Sequence, residues 1–192
     1  MITIVPYHAD WPAEFDAVAR PLRAVLGDLA VRIDHIGSTS VPGLAAKDII
    51  DVQVTVRDFS STPHLVAALG SLDYTFVPEI TRDHLPPLYQ GPETDWEKRY
   101  FRPPTSQRPT HLHIRALERP NQRYPILFRD YLRVHPVASA AYALIKTNLA
   151  RRHPEDIEFY YDIKDPLCDI VIDAAEDWAR NTGWQMELRI PE

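Results

Sequence analysis

The chain has 192 residues, 45% hydrophobic and 10% aromatic, with a formal charge of −6. That length suits one domain, residues 1–192, with a sizeable core, and the composition excludes a disordered, collagen-like or coiled-coil chain. No run approaches the ~18 apolar residues of a membrane span, the N-terminus has no signal-peptide pattern, and the single cysteine, Cys168, cannot form an internal disulfide, so no membrane association and a reducing, cytoplasmic setting are expected. Charge is unevenly spread. From Arg82 to Arg133 ten Lys/Arg stand against six Asp/Glu, whereas residues 155–192 hold eleven acids and three bases. A locally basic middle in an acidic protein points to a small-anion site more than to an extended nucleic-acid surface.

Ile2–Val5 alternates and is β-branched, which predicts a short strand. Asp10-Trp11-Pro12 opens a helix over about 11–27, with Phe15, Val18, Ala19, Leu22, Val25, Leu26 and Leu29 at helical spacing and a kink expected at Pro21. Residues 30–36 alternate as a strand and run into Gly37-Ser38-Thr39-Ser40. A second strand, 49–56, puts Ile50, Val52, Val54 and Val56 on one face and Asp51, Gln53 and Thr55 on the other. Thr62-Pro63 begins a helix that turns Leu65, Val66 and Leu69 inward and stops at Gly70. Residues 74–77 read as a strand, and 78–96 as a long loop of the kind that is usually functional or mobile. Residues 96–102 and 110–116 predict a hairpin. Helices follow at about 121–134, 137–152 and 155–180, the last broken at Pro166, with Tyr160, Ile163, Leu167, Val171, Ala174 and Trp178 inward.

The strongest chemical signal couples Gly37-Ser38 to Asp51. Glycine lets backbone amides approach a phosphate, and Ser38 adds a hydroxyl donor. A helix starting near Thr39 to Leu44 would add its N-terminal dipole. A carboxylate on the adjacent strand can hold Mg²⁺ over the same phosphates. His111 and His113 share one strand face; they are metal ligands, acid/base or phosphate groups, or else a core pair. Lys47 and Arg99 are candidate anion clamps, with solvated faces the plain alternative. Arg129 with Arg133, and Tyr161 with Lys164, read first as helix-face pairs.

Ile36-Gly37-Ser38 followed by Asp51-Val52-Gln53-Val54 resembles the nucleotidyltransferase superfamily of DNA polymerase beta type. More closely, the chain resembles the GrpB family, whose members share that fold and also occur fused to dephospho-CoA kinases. The block His35 to Lys47 carries the likeness, continued by Ile49-Ile50-Asp51. Supporting residues are Val5-Pro6-Tyr7, Trp11, Phe15, Lys98 to Phe101, His111 to Ile114, Phe128 to Arg133, Tyr161 and Lys164.

The resemblance implies an α/β (α+β) fold: a mixed sheet flanked by helices, with a helical C-terminal half. It also implies a nucleotide or other small phosphorylated ligand. Ligand-binding positions are Gly37, Ser38, Thr39, Ser40, Lys47, Gln53, Arg99 and His111. Asp51 and His113 are the catalytic and metal-binding candidates, with Mg²⁺ as the expected ion and Mn²⁺ or Zn²⁺ as alternatives. The superfamily pattern of paired carboxylates is broken by Gln53, and the later strand offers histidines rather than a third acid. Weak or altered transferase activity is therefore expected; the alternative is a non-catalytic binding or folding-accessory domain like that joined to dephospho-CoA kinase.

Overall fold

In the computed structural model, which describes residues 1–186, a five-stranded mixed sheet is flanked by five helices. The strands are β1 (Arg32–Ile36), β2 (Ile50–Val56), β3 (Thr75–Phe76), β4 (Arg99–Arg102) and β5 (Thr110–Ala116). The helices are α1 (Trp11–Leu26), α2 (Thr62–Gly70), α3 (Pro120–Val134), α4 (Pro136–Arg152) and α5 (Ile157–Thr182). Spatial order is β1-β2-β5-β4-β3, with β2 and β5 parallel and the other pairs antiparallel. This is the mixed sheet and helical C-terminal half expected from the sequence.

Alternation along the strands decides what each sheet face meets. Ile50, Val52, Val54 and Val56 of β2 join Leu112 and Ile114 of β5 and Phe101 of β4 against Trp11, Leu22 and Leu26 of α1 and Leu65 and Leu69 of α2. Removing this apolar area from water is the main favourable term for that half. The opposite face carries Asp51, Gln53 and Thr55 beside His111, His113 and Arg115, because the parallel register sets these residues side by side. The helical C-terminal half covers this polar face. Gln122 at the start of α3 bonds to both Gln53 and Thr55, and α3 packs on α5 through Leu127, Ile172, Ala175 and Ala179.

Several local expectations change. Residues 2–5 form no strand; Val5 makes one isolated bridge to Ala46, and the Ile2 amide donates to the Pro154 carbonyl. α1 runs through Pro21 and α5 through Pro166 as single helices, because apolar packing on both sides of each proline offsets the missing hydrogen bond. Val66 is exposed, since α2 meets the core through Leu65, Ala68 and Leu69. On α5 the buried stripe is Tyr160, Ile172, Ala175 and Ala179; Ile163 and Ala174 face outward. No helix begins at residues 39–44, where a single tight turn spans Ser38–Ser40. No helix of the described residues is long and apolar enough to cross a membrane.

Candidate functional site

A cleft of about 490 Å³ opens between the polar sheet face, the turn after β1, helices α4 and α5, and the loop before β4. Ser38 and Asp51 both line it, as do Gly37, Thr39, Lys47, His111 and His113. The structure thus brings seven of the ten positions expected from the sequence to one cavity.

Gly37 sits at φ 70°, ψ −173°, a conformation essentially reserved for glycine. A Cβ built on it would overlap the Asp51 carboxylate. The absent side chain therefore serves both the turn and the position of the Asp51 carboxylate. Arginines of α3 tie the turn down: Arg129 donates to the His35 carbonyl at 3.0 Å, and Arg133 donates twice to the Ser40 carbonyl, at 2.7 and 3.1 Å. The helix-face charge network expected of that pair is present through Asp130, and both arginines add a direct clamp on the turn.

Asp51 Oδ1 lies 2.9 Å from His111 Nδ1 and 3.9 Å from His113 Nε2. One ligand atom from each residue falls within 4.8 Å of the others. Burial would raise the Asp51 pKa, but the two imidazoles outweigh it and hold the carboxyl well below the usual range. Burial lowers His113 to about 4, so its ring is neutral at pH 7 and has a lone pair to offer. The Tyr100 ring packs at 5.9 Å from His111 and 5.3 Å from His113.

At the other side of the cleft stands Lys146, only 2% exposed. Its ammonium donates to Ser38 Oγ at 2.6 Å and to the Ala45 carbonyl at 2.9 Å, and lies 4.5 Å from the Tyr142 ring centroid. No carboxylate of the described residues lies within ion-pair distance of it. Burial brings its pKa down to about 7, with Lys164 and Lys47 pushing the same way and Cys168 and Asp51 opposing. Lys47 rests over Tyr160 and Tyr161, and Lys164 pairs with Asp165. Five cationic side chains line the cleft against three carboxylates.

Three expected positions lie elsewhere. Gln53 is fully buried and both ends of its amide are used: Nε2 donates to the Gln122 carbonyl at 2.8 Å, and Oε1 accepts from Arg115 at 2.7 Å. The face assignment was right, but the first turn of α3 covers the residue. Arg99 points to the opposite sheet face, 4.2 Å from the Phe59 ring, because it alternates with Tyr100. Ser40 turns inward to the Gly37 carbonyl at 2.6 Å. Thr39 lines the cleft, yet its hydroxyl is engaged by His35.

Gln53→Glu, which would restore the second carboxylate of the superfamily pattern, is expected to build no ligand site. Glutamate cannot donate to the Gln122 carbonyl, so two oxygens face each other in a buried place. A destabilisation of about 1–3 kcal/mol follows from the unsatisfied acceptor, partly offset by Arg115. Urea denaturation checks it, with divalent-ion titration expected to match wild type.

Sequence reasoning missed Lys146 altogether. In the structure it forms the buried stripe of α4 with Tyr142 and Ala150, each four residues away. The sequence reading also missed the pairing at Asp83, which accepts from Lys98 at 2.8 Å, from both Arg115 nitrogens at 2.8 Å and from Asn121 at 3.0 Å. That network consumes the only other carboxylate that the described residues place beside the sheet part of the cleft. One carboxylate and two imidazoles do not suit the magnesium pair that nucleotidyl transfer uses, since Mg²⁺ prefers oxygen ligands.

The family comparisons agree with this architecture. A family model described as GrpB protein matches residues 1–174. The crystal structure of conserved protein GrpB from Enterococcus faecalis superimposes with a TM-score of 0.75 at 29% identity, covering 92% of this chain and 99% of that one. A UPF0157 protein of Halalkalibacterium halodurans is 32% identical over 91% of this chain and 82% of its own length. A dephospho-CoA kinase of Mycolicibacterium paratuberculosis is 34% identical over 96% of this chain but only 48% of the kinase. The chain spans about half the length of the dephospho-CoA kinases it matches. By the family match, the relatives and the shared fold, this chain belongs to the GrpB family.

Proposed function

We propose that the cleft binds a small phosphorylated ligand, of the nucleotide or phosphate-ester class, with weak or altered metal-dependent transferase activity. The observation that carries this reading is Lys146. A buried ammonium with hydroxyl and carbonyl partners but no carboxylate is costly unless an anion completes the site. Ser38 beside it supplies a hydroxyl, Lys47 and Lys164 add charge, and the exposed Tyr161 offers ring surface to a base or other flat group. Asp51 brings a single carboxylate at the sheet end. One acid limits transfer chemistry, because clustered negative charge is what holds two divalent ions on a polyphosphate.

The second reading is a binding or accessory domain without turnover. It is favoured by the match of nearly the whole chain to half of dephospho-CoA kinases.

Thermal shift tests the binding claim. Nucleotides and pyrophosphate, with and without Mg²⁺, Mn²⁺ and Zn²⁺, are expected to raise the melting temperature of the full chain. Ligand at a hundred times its Kd stabilises by ~2.7 kcal/mol, or roughly 5–10 °C for a chain of this size. Absence of a shift with every phosphoanion would overturn the reading. Turnover assays on the same samples then separate a weak transferase from a binding domain.

A further inference from the structure

We propose that Asp51, His111 and His113 hold one divalent ion of the zinc class, through Asp51 Oδ1, His111 Nδ1 and His113 Nε2, in place of a magnesium pair. This deepens the ligand reading above by naming the cation that would meet a phosphate oxygen.

The sheet itself builds the site. Asp51 and His111 are register partners on the two parallel strands β2 and β5, and His113 follows two residues on with the same facing. No loop has to order for the three donors to converge. Zinc bonds to nitrogen and oxygen are ~2.0–2.2 Å and tetrahedral, which requires donor separations of roughly 3.3 Å. The observed contacts of 2.9 and 3.9 Å to Asp51 Oδ1 bracket that value. An ion there takes the place of the His111–Asp51 hydrogen bond, with the ring proton of His111 carried on its Nε2, and the three donors already lie within 4.8 Å of one another.

The donor set decides the class of ion. Imidazole suits Zn²⁺, Co²⁺, Ni²⁺ and Fe²⁺, whereas Mg²⁺ demands a near-octahedral shell of oxygens. Asp83 cannot supply a further oxygen, since Lys98, Arg115 and Asn121 already occupy its carboxylate. Three protein ligands leave a fourth position, the pattern of catalytic rather than structural zinc. The surroundings fix the ligands: Asp51 is backed by Gly37, and both imidazoles pack on Tyr100. His113 is held by packing alone, because its Nδ1 has no hydrogen-bond partner among the described residues. A histidine without that outer partner binds metal 10–100-fold more weakly than a fully supported one. The site therefore suits an exchangeable ion better than a permanent one.

The test uses the full chain, stripped with chelator, in phosphate-free buffer. Zn²⁺ and Mg²⁺ are titrated calorimetrically, and Co²⁺ is added as a visible-absorption reporter of coordination. One equivalent of Zn²⁺ is expected to bind at least about a hundredfold more tightly than Mg²⁺. Co²⁺ is expected to give the intense band of a four- or five-coordinate ion. Asp51→Asn and His111→Gln are each expected to weaken Zn²⁺ by at least about thirtyfold, the loss of one of three ligands. His111 lies nearer the rim than His113, so its variant keeps the test meaningful should His113→Gln fail to fold. The proposal is overturned if Zn²⁺ does not bind stoichiometrically, if Mg²⁺ binds as tightly, or if folded Asp51→Asn and His111→Gln proteins bind Zn²⁺ like wild type. Failure here leaves the phosphoanion reading standing, because that rests on Lys146 and is measured separately on metal-free protein.

Discussion

Lys146→Met is expected to abolish phosphoanion binding while making the protein more stable at neutral pH. Methionine fills much the same volume as the lysine stem but brings no charge into the interior. The folded protein takes up the Lys146 proton only near pH 7, against 10.5 for the free side chain. Between those values the unfolded chain binds more protons, so wild-type stability rises with pH across that window. Below pH 7 both states are protonated and the full penalty applies, on the order of 5 kcal/mol. The methionine variant would carry none of it. That variant should therefore melt higher at pH 7, and the part of the pH dependence between 7 and 10.5 that belongs to Lys146 should vanish.

Binding follows the opposite sign. An anion pairs only with charged Lys146, so affinity should fall as pH rises above 7, approaching tenfold per unit. Below about pH 6 the phosphate loses its second charge, which places the optimum between roughly 6 and 7. Lys47, Lys164, Asp51, Tyr142 and Cys168 surround the ammonium, and of these Lys164, whose burial is outweighed by Cys168 and Asp165 pushing its pKa up, stays charged across the window and adds a constant attraction. Loss of at least about a hundredfold in the methionine variant corresponds to the ~3 kcal/mol of a charge-assisted hydrogen bond lost in a buried site. Melting curves and calorimetric titration over pH 6–10 check both halves.

Gly37→Ala is expected to damage fold and site together. The glycine-only backbone conformation costs an alanine about 1–3 kcal/mol, and its Cβ would collide with Asp51. Relief of that overlap requires moving the carboxylate away from His111. A total near 3 kcal/mol would lower the melting temperature by roughly 6–12 °C. The two contributions can be separated. In an Asp51→Gly background the collision disappears and the backbone cost remains, so Gly37→Ala should cost less there by at least about 1 kcal/mol. A double-mutant cycle from urea denaturation measures this coupling. Additive effects would mean that Asp51 does not depend on the empty space at Gly37.

The sheet and its two faces were legible because β2 and β5 alternate cleanly, and that alternation put Asp51, His111 and His113 on one side. The link between Gly37-Ser38 and Asp51 was legible too, as a phosphate cradle beside a carboxylate; that the chain makes one tight turn at Ser38–Ser40, and that Asp51 fills the space a Gly37 side chain would take, depends on the tertiary approach of β2 and was not. Other features were hidden for definite reasons. Gln53 shares the right face, but only the tertiary placement of α3 reveals that a helix turn covers it. Arg99 required the exact register of a short strand. Lys146 was invisible to charge counting because a lone lysine in an alanine-rich helix normally faces water; its burial depends on how α4 leans against the turn after β1. The basic middle of the chain was a partial guide: Lys98 and Arg115 line the cleft, both held by Asp83, while other arginines pair elsewhere. Within it Arg108 bonds Glu14 and Asp48, Arg119 pairs with Asp95, and Arg123 pairs with Glu176. The cleft adds Lys47, Lys146 and Lys164 from outside that segment.

The carboxylate–imidazole cluster and the buried lysine face one cleft and serve one ligand in the proposed function. Calorimetric titration of pyrophosphate at pH 6.5, into chelator-stripped protein and into protein holding one equivalent of Zn²⁺, tests it most directly. Metal and anion sharing a cleft should bind cooperatively, with pyrophosphate at least about tenfold tighter on the loaded protein and Zn²⁺ tightened by the same factor in return. Equal pyrophosphate affinity with and without Zn²⁺, in a protein shown to hold the ion, would contradict a single shared site.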